Sequence, residues 1–482
     1  MGRPNLLLFM PDQLRADSVG VFGNAVVQTP NIDRLALDGI RFEQAFGQHS
    51  VCTQSRVSMF TGWYPHTAGH RSLSYLLQPN EPNVFRTLHD DGYHVALAGA
   101  RGDMMAEGVT ALSADRWGLT RAPDLAAVGE WHRRRHDDHH RLAYSFLSGR
   151  LDGDPFDLDE ATVSTAIDWL TEGLPEPWCL LVPLIYPHPP FAVEEPWYSL
   201  HDRASVPLPH FDAGIGKPGF HAEIRHRYGL DALTEDDWRE IVAVYYGMIS
   251  RVDAQLGRML EAVDDAGQSD STVTFFFTDH GEYLGDFGLI EKWPSGLEDC
   301  LVRNPLIVHD PSAGSGTTSS LVEMIDLTAT MLDLAEIQPG YTHFGRSLRP
   351  LLTDPTRPHR AAAFSEGGFL ATEGPLLEPN SAGHYRHKQD IQHELTELVG
   401  KAMAVRTAGW TYVERLYEGA ELYDRDADPL ERRNLIDSGR HADVVAEHRH
   451  LLARWMLETA DVFPWAPDPR METVLRDAFR GG

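Results

Sequence analysis

The sequence predicts an α/β protein in which a large mixed, mostly parallel sheet is sandwiched by helices and followed by a smaller C-terminal α+β domain. Three observations carry this. Four apolar, β-prone runs each break off into polar residues, glycine or proline; helical patterns lie between them; and beyond about residue 361 the pattern weakens, then gives way to short strands with turns.

The first run, "NLLLFM", passes into Pro11-Asp12-Gln13. The second, "HVALAG", passes into Ala100-Arg101-Gly102-Asp103, the third, "WCLLVPLIY", into Pro187-His188-Pro189, and the fourth, "STVTFFFT", into Asp279-His280-Gly281. Continuous apolar runs of this length read as strands buried on both faces. The spacer "EIVAVYYGMISRVDAQLGRMLEAVDDAG" has the period of a long helix. In open sheets of this kind ligands bind outside the carboxyl ends of the strands, so the four exits are expected to converge on one site. We expect a catalytic domain over residues 1–365, an insertion or linker over 366–400, and a C-terminal subdomain over 401–482. In the last, "KAMAVRTAGWTYVERLYEGAELYDRDADPLERRNL" reads as an antiparallel sheet and "ADVVAEHRHLLARWMLETA" as an amphipathic helix.

Composition narrows the partners. The formal charge of -29 comes from 71 acidic and 42 basic residues spread along the chain, a balance that repels nucleic acid and anionic membranes. An anionic substrate must therefore meet a local positive site. No apolar run approaches the roughly 18 residues of a membrane span, and the start "MGRPNLLLFMPDQ" lacks the features of a secretory signal. The expectation is a cytoplasmic protein. The three cysteines, Cys52, Cys179 and Cys300, make no complete disulfide framework.

Asp12, Asp279 and His280 offer two carboxylates and an imidazole from two strand exits, a set suited to a hard or borderline divalent ion. Gln13 could add a carbonyl oxygen or cap the next helix. Lys292 and His188 are candidates to hold or protonate an anionic group. In "HSVCTQSRVSMFTG", Arg56 lies one helical turn beyond Cys52, where it could brace a reactive residue. Taken alone, Cys52 reads as a free thiol, whether packing residue, metal ligand or precursor of a catalytic group. The tract "WHRRRHDDHHR", Trp131 to Arg141, shows no ligand spacing and reads as a solvated loop or helix. Together with the 366–400 insertion it is the expected pocket rim, or else a contact in a homo-oligomer.

These stretches, with "GYHVALAGA", "YPHPPF", "FFFTDHGEYLGDFGLIEKW" and "ELYDRDADPLERRNL", resemble in order and spacing the type I sulfatases of the alkaline phosphatase superfamily. The resemblance covers almost the whole chain. It implies that Cys52 is oxidised by a formylglycine-generating enzyme to formylglycine, whose hydrate becomes a nucleophile at a divalent cation. It further implies Asp12, Cys52, Asp279 and His280 as metal ligands and Arg56 as support. His188 and Lys292 then bind the transferring group and assist the leaving oxygen. Calcium is the usual ion, with manganese or magnesium as alternatives. The expected activity is hydrolysis of a small molecule's sulfate ester. A phosphonate monoester hydrolase or phosphodiesterase on the same site is the alternative, and a catalytically silent binding relative is a third reading. Two departures stand out. Gln54 occupies a place the family gives to proline or alanine, and Gly99-Ala100-Arg101-Gly102 replaces the usual Gly-Lys-Trp-His, leaving Arg101 to substitute for the lysine in binding substrate.

Overall fold

The computed structural model describes residues 2–99, 104–126, 129, 146–153, 156–379 and 383–462. Its strands, in chain order, are β1 (Asn5–Met10), β2 (Ile40–Phe46), β3 (His94–Ala98), β4 (Arg116–Gly118), β5 (Leu147–Arg150), β6 (Trp178–Pro183), β7 (Phe191–Val193) and β8 (Thr272–Phe277). They continue with β9 (Arg303–His309), β10 (Gly316–Thr318), β11 (Val322–Glu323), β12 (Ala363–Gly367), β13 (Ala402–Arg406), β14 (Trp410–Arg415) and β15 (Glu421–Asp424). The longer helices are α1 (Pro30–Asp38), α2 (Cys52–Thr61), α3 (Leu158–Glu172), α4 (Gly219–Tyr228), α5 (Glu235–Asp265), α6 (Asp326–Leu334), α7 (Arg386–Glu394) and α8 (Ala442–Thr459).

Nine strands form the main sheet in the order β10-β2-β9-β8-β1-β6-β3-β4, with β11 also paired to β2. The four apolar runs are its neighbouring strands β8, β1, β6 and β3, all parallel, while β9 runs antiparallel to β8 and β2. The sheet is therefore mixed and mostly parallel, as expected. Alternation along each strand sends side chains to two separate cores. Leu7, Phe9, Leu180, Val182 and Phe276 pack on the side of α1, α3 and α5. Leu6, Leu8, Met10, Cys179, Leu181, Phe275 and Phe277 pack on the side of α2 and α6. Both faces being covered explains why these strands read as continuous apolar runs rather than as alternating ones.

Strands β12 to β15 form a separate antiparallel sheet. Helix α8 closes it: Leu452 and Trp455 meet Val405, Tyr412 and Leu422, and reach Tyr64 and Ile325 of the larger unit. The expected boundary at 365 falls inside β12, which pairs with β13. The segment after it carries α7, which packs against α4. The tract Trp131 to Arg141 lies outside the described residues.

Candidate active site

Strands β1 and β8 are paired in parallel register, Phe9 opposite Phe276. The residues just past their ends must therefore sit side by side, which brings Asp12 next to Asp279 and His280. Gln13 turns the chain at a φ of 64°, and its N–H donates to Asp279 Oδ1 at 3.0 Å, as does that of His280 at 2.9 Å. Gly281 follows because the backbone lies on the carbonyl of Cys300, where a Cβ would come within 2.0 Å of the oxygen.

Cys52 is the first residue of α2, a helix whose every residue is buried. Its Sγ lies 3.1 Å from His280 Nε2 and 3.5 Å from Asp12 Oδ1. One ligand atom from each of Asp12, Cys52, Asp279 and His280 falls within 4.8 Å of all the others. One turn along α2, Arg56 donates from Nη2 to Asp12 Oδ2 and from Nε to Asp279 Oδ2, both at 2.9 Å. This guanidinium is 1% exposed, so the two carboxylates share a buried countercharge on the side away from Cys52.

Electrostatics suit a cation. Burial and the charge of Asp12 oppose ionisation of Asp279, but His280, Arg56 and the backbone N–H of Gln13 outweigh them and hold its carboxyl below the usual range. Burial, helped by Lys292, keeps the His280 pKa below that of a free imidazole despite the nearby carboxylates. The ring is then neutral, and its Nδ1 lies 2.9 Å from the Gly281 carbonyl. That partner fixes the tautomer and leaves Nε2 a lone pair directed at the cluster. Two carboxylates, a neutral imidazole and a sulfur fit a divalent ion of hard to borderline character.

Beside the cluster lies a cavity of 350 Å³ walled in part by Cys52, Thr53, His188 and Lys292. The Lys292 ammonium donates to Gln13 Oε1 at 2.5 Å and pairs with Glu291 at 2.8 Å. Burial works against its charge, but Cys52 and Glu291 outweigh burial and keep its pKa well above the ordinary value. Gln13 itself neither caps a helix nor stays free: its amide nitrogen donates to Glu282. The His188 Nδ1 pairs with the Pro189 carbonyl at 2.7 Å. Arg101, the expected substrate-binding residue, lies outside the described residues.

Two features of the site were not legible in the sequence, the Glu291–Lys388 pair and the buried His49. Glu291 is held below the usual carboxylate range, against burial, by Lys292 and then Lys388. Lys388, from α7, donates to Glu291 and to the backbone carbonyl of Lys292, a pairing that no local pattern announces. His49 is fully buried; its Nδ1 accepts from the N–H of Val51 at 3.0 Å and its Nε2 has no partner. Gln54 is also buried, with Nε2 donating to the Arg71 carbonyl at 3.2 Å and Oε1 unpaired. The other two cysteines have no such setting. Cys179 lies within the core of the sheet, and burial pushes the thiols of both Cys179 and Cys300 up.

The chain is similar to known proteins over nearly its whole length. The chain is 28% identical over 504 residues to an uncharacterized sulfatase, YidJ, of Escherichia coli strain K12, covering 98% of this chain and 92% of that one. It is 25% identical over 525 residues to a multifunctional alkaline phosphatase superfamily protein of Trinickia caryophylli and 25% identical over 514 residues to the choline-sulfatase of Rhizobium meliloti. The first alignment covers 96% of each chain, the second 100% of this chain and 92% of that one. A crystal structure of the phosphonate monoester hydrolase of Agrobacterium radiobacter superposes with a TM-score of 0.74 at 24% identity, over 95% of this chain and 96% of that one. Residues 4–337 match the model of the sulfatase family, which spans both strand exits, Cys52, Arg56, His188 and Lys292, so the chain belongs to the sulfatases and has an alkaline phosphatase-like fold.

Proposed function

We propose that this sulfatase hydrolyses the sulfate ester of a small alcohol, with the group made from Cys52 as its nucleophile. The observation that carries the reading is the convergence of Asp12, Cys52, Asp279 and His280 within 4.8 Å, beside a cavity lined by Cys52, His188 and Lys292. These residues would hold a divalent ion, calcium by resemblance, which would make a hydroxyl of hydrated formylglycine at position 52 easier to ionise.

The chain's own residues do the rest. Arg56 holds the carboxylates of Asp12 and Asp279 in place through its two hydrogen bonds and helps keep Asp279 ionised. Lys292, fixed between Gln13 and Glu291, presents its ammonium to an oxygen of the transferring group and offsets the charge that builds there. His188 gives the departing alcohol its proton. Val51 and Pro294, both buried, and the half-exposed Leu73 give the cavity an apolar side.

Two measurements on protein from its own host test this. The mass of the tryptic peptide containing residue 52 should show the aldehyde rather than the thiol. Paired assays on an aryl sulfate and an aryl phosphonate monoester should show the sulfate ester preferred. An unmodified thiol at full occupancy overturns the nucleophile, and a clear phosphonate preference moves the substrate class to phosphonate monoesters.

A further inference from the structure

Tyr385 lines the same cavity from the residue just before α7. Its hydroxyl is shut off from solvent and has no hydrogen-bond partner. A buried O–H left unpaired costs about 1–3 kcal/mol, so a partner is expected to arrive with a ligand. The position of this hydroxyl is determined on two sides. The ring packs on Phe146 at a centroid distance of 5.4 Å. Three residues on, Lys388 ties α7 to Glu291 and to the carbonyl of Lys292. The phenol is close enough to Glu291, Lys292, Cys52 and Asp12 to feel their charges, and burial keeps it protonated.

Direction follows from the reaction. Displacement in line with a nucleophile at residue 52 sends the alcohol away from Cys52, and the wall of the cavity not built by Val51, Cys52 and Thr53 includes Tyr385, Gln389, Gln392 and Glu378. These side chains carry hydroxyl, carboxamide and carboxylate groups, the complement of an alcohol with further hydroxyls rather than of a plain hydrocarbon. Resting on the sulfatase reading above, we propose that Tyr385 is the specificity-determining contact for the alcohol half of the substrate, donating its hydrogen bond to a second hydroxyl of a sugar-like alcohol. A site that hydrogen-bonds a substrate hydroxyl discriminates against an analogue that lacks it.

Binding to the inactive Cys52→Ala protein, with calcium present, tests this apart from turnover. Glucose monosulfate should bind more tightly than inorganic sulfate. Adding Tyr385→Phe should weaken glucose monosulfate about ten- to a hundredfold and leave inorganic sulfate within about twofold, because the phenyl ring keeps its packing on Phe146. In the active enzyme the ratio of kcat/KM for glucose monosulfate to that for nitrophenyl sulfate should fall by the same factor. Equal weakening of ester and inorganic anion, unchanged affinity for both, or no preference for the ester in Cys52→Ala overturns the assignment. Failure of the wild-type enzyme to hydrolyse nitrophenyl sulfate overturns the sulfatase reading alone, since the binding comparison still reports on Tyr385.

Discussion

At the scale of single residues, Arg56 ties the two strand exits together by donating to both Asp12 and Asp279 from one turn beyond Cys52. Its spacing from Cys52 placed both on one helical turn, but that it reaches both Asp12 and Asp279 depends on how α2 docks beneath β1 and β8, which no local pattern states. Gln13 was less legible still: a side chain next to a candidate ligand aspartate suggests a ligand or a cap, whereas it joins Lys292 to Glu282 across 279 and 269 positions of sequence. Arg56→Ala leaves two buried carboxylates without their countercharge, and breaking a buried pair in this way costs about 3–5 kcal/mol. Denaturant unfolding of the metal-free protein should show a loss of that order. Calcium should restore part of it, since an ion bound by the two carboxylates replaces the missing charge and stabilises only the folded state.

At the scale of elements, the strands and their exits were readable because a strand buried on both faces must be apolar throughout and its end must be wet. Connections made by one polar side chain were not readable. Helix α1 has Thr29 at its N-cap position without a side-chain cap; instead Asp253 of α5 accepts from the N–H groups of Asn31 and Ile32 at 2.9 and 2.8 Å and from the Asn31 amide at 2.8 Å. Burial pushes the Asp253 carboxyl up to about 6 in spite of these bonds. An unfolded aspartate titrates near 3.9, so the folded state binds this proton more tightly. Its contribution to stability is complete below about pH 4 and is lost as the pH rises to about 6. Asp253→Asn should flatten the decline of stability with rising pH in that window, measured by denaturant unfolding at fixed salt, and Asp253→Ala should cost about 1–2 kcal/mol as a lost cap. An unaltered slope in Asp253→Asn would assign the pH dependence elsewhere. Segment 366–400 was the least legible element. It reads as an insertion because the partner that anchors it, Glu291, lies 97 residues from Lys388, and such pairing leaves no period in the sequence.

At the scale of the molecule, two features decide how the parts work together. Trp455, 3% exposed, stacks on Phe364 and meets Tyr64 edge-on, both at 5.0 Å. It thereby joins α8 and the small sheet to the residues just after α2. Trp455→Ala should cost about 3–5 kcal/mol, read as a lower denaturation midpoint. The second feature is charge. With a formal charge of -29, the surface field repels an anionic ester at long range, whereas the ammonium groups of Lys292 and Lys388 are nearly balanced at short range by Glu291 and the neighbouring Glu378. Salt screens the long-range term first, because the Debye length falls from about 30 Å at 0.01 M to about 8 Å at 0.15 M, while direct contacts between a bound anion and buried side chains are screened far less. Between those salt concentrations kcat/KM for an aryl sulfate should therefore rise several-fold and then level off, with kcat nearly constant. A steady fall of kcat/KM with salt would mean that the cationic residues of the cavity, rather than the acidic surface, set the field the substrate meets on entry.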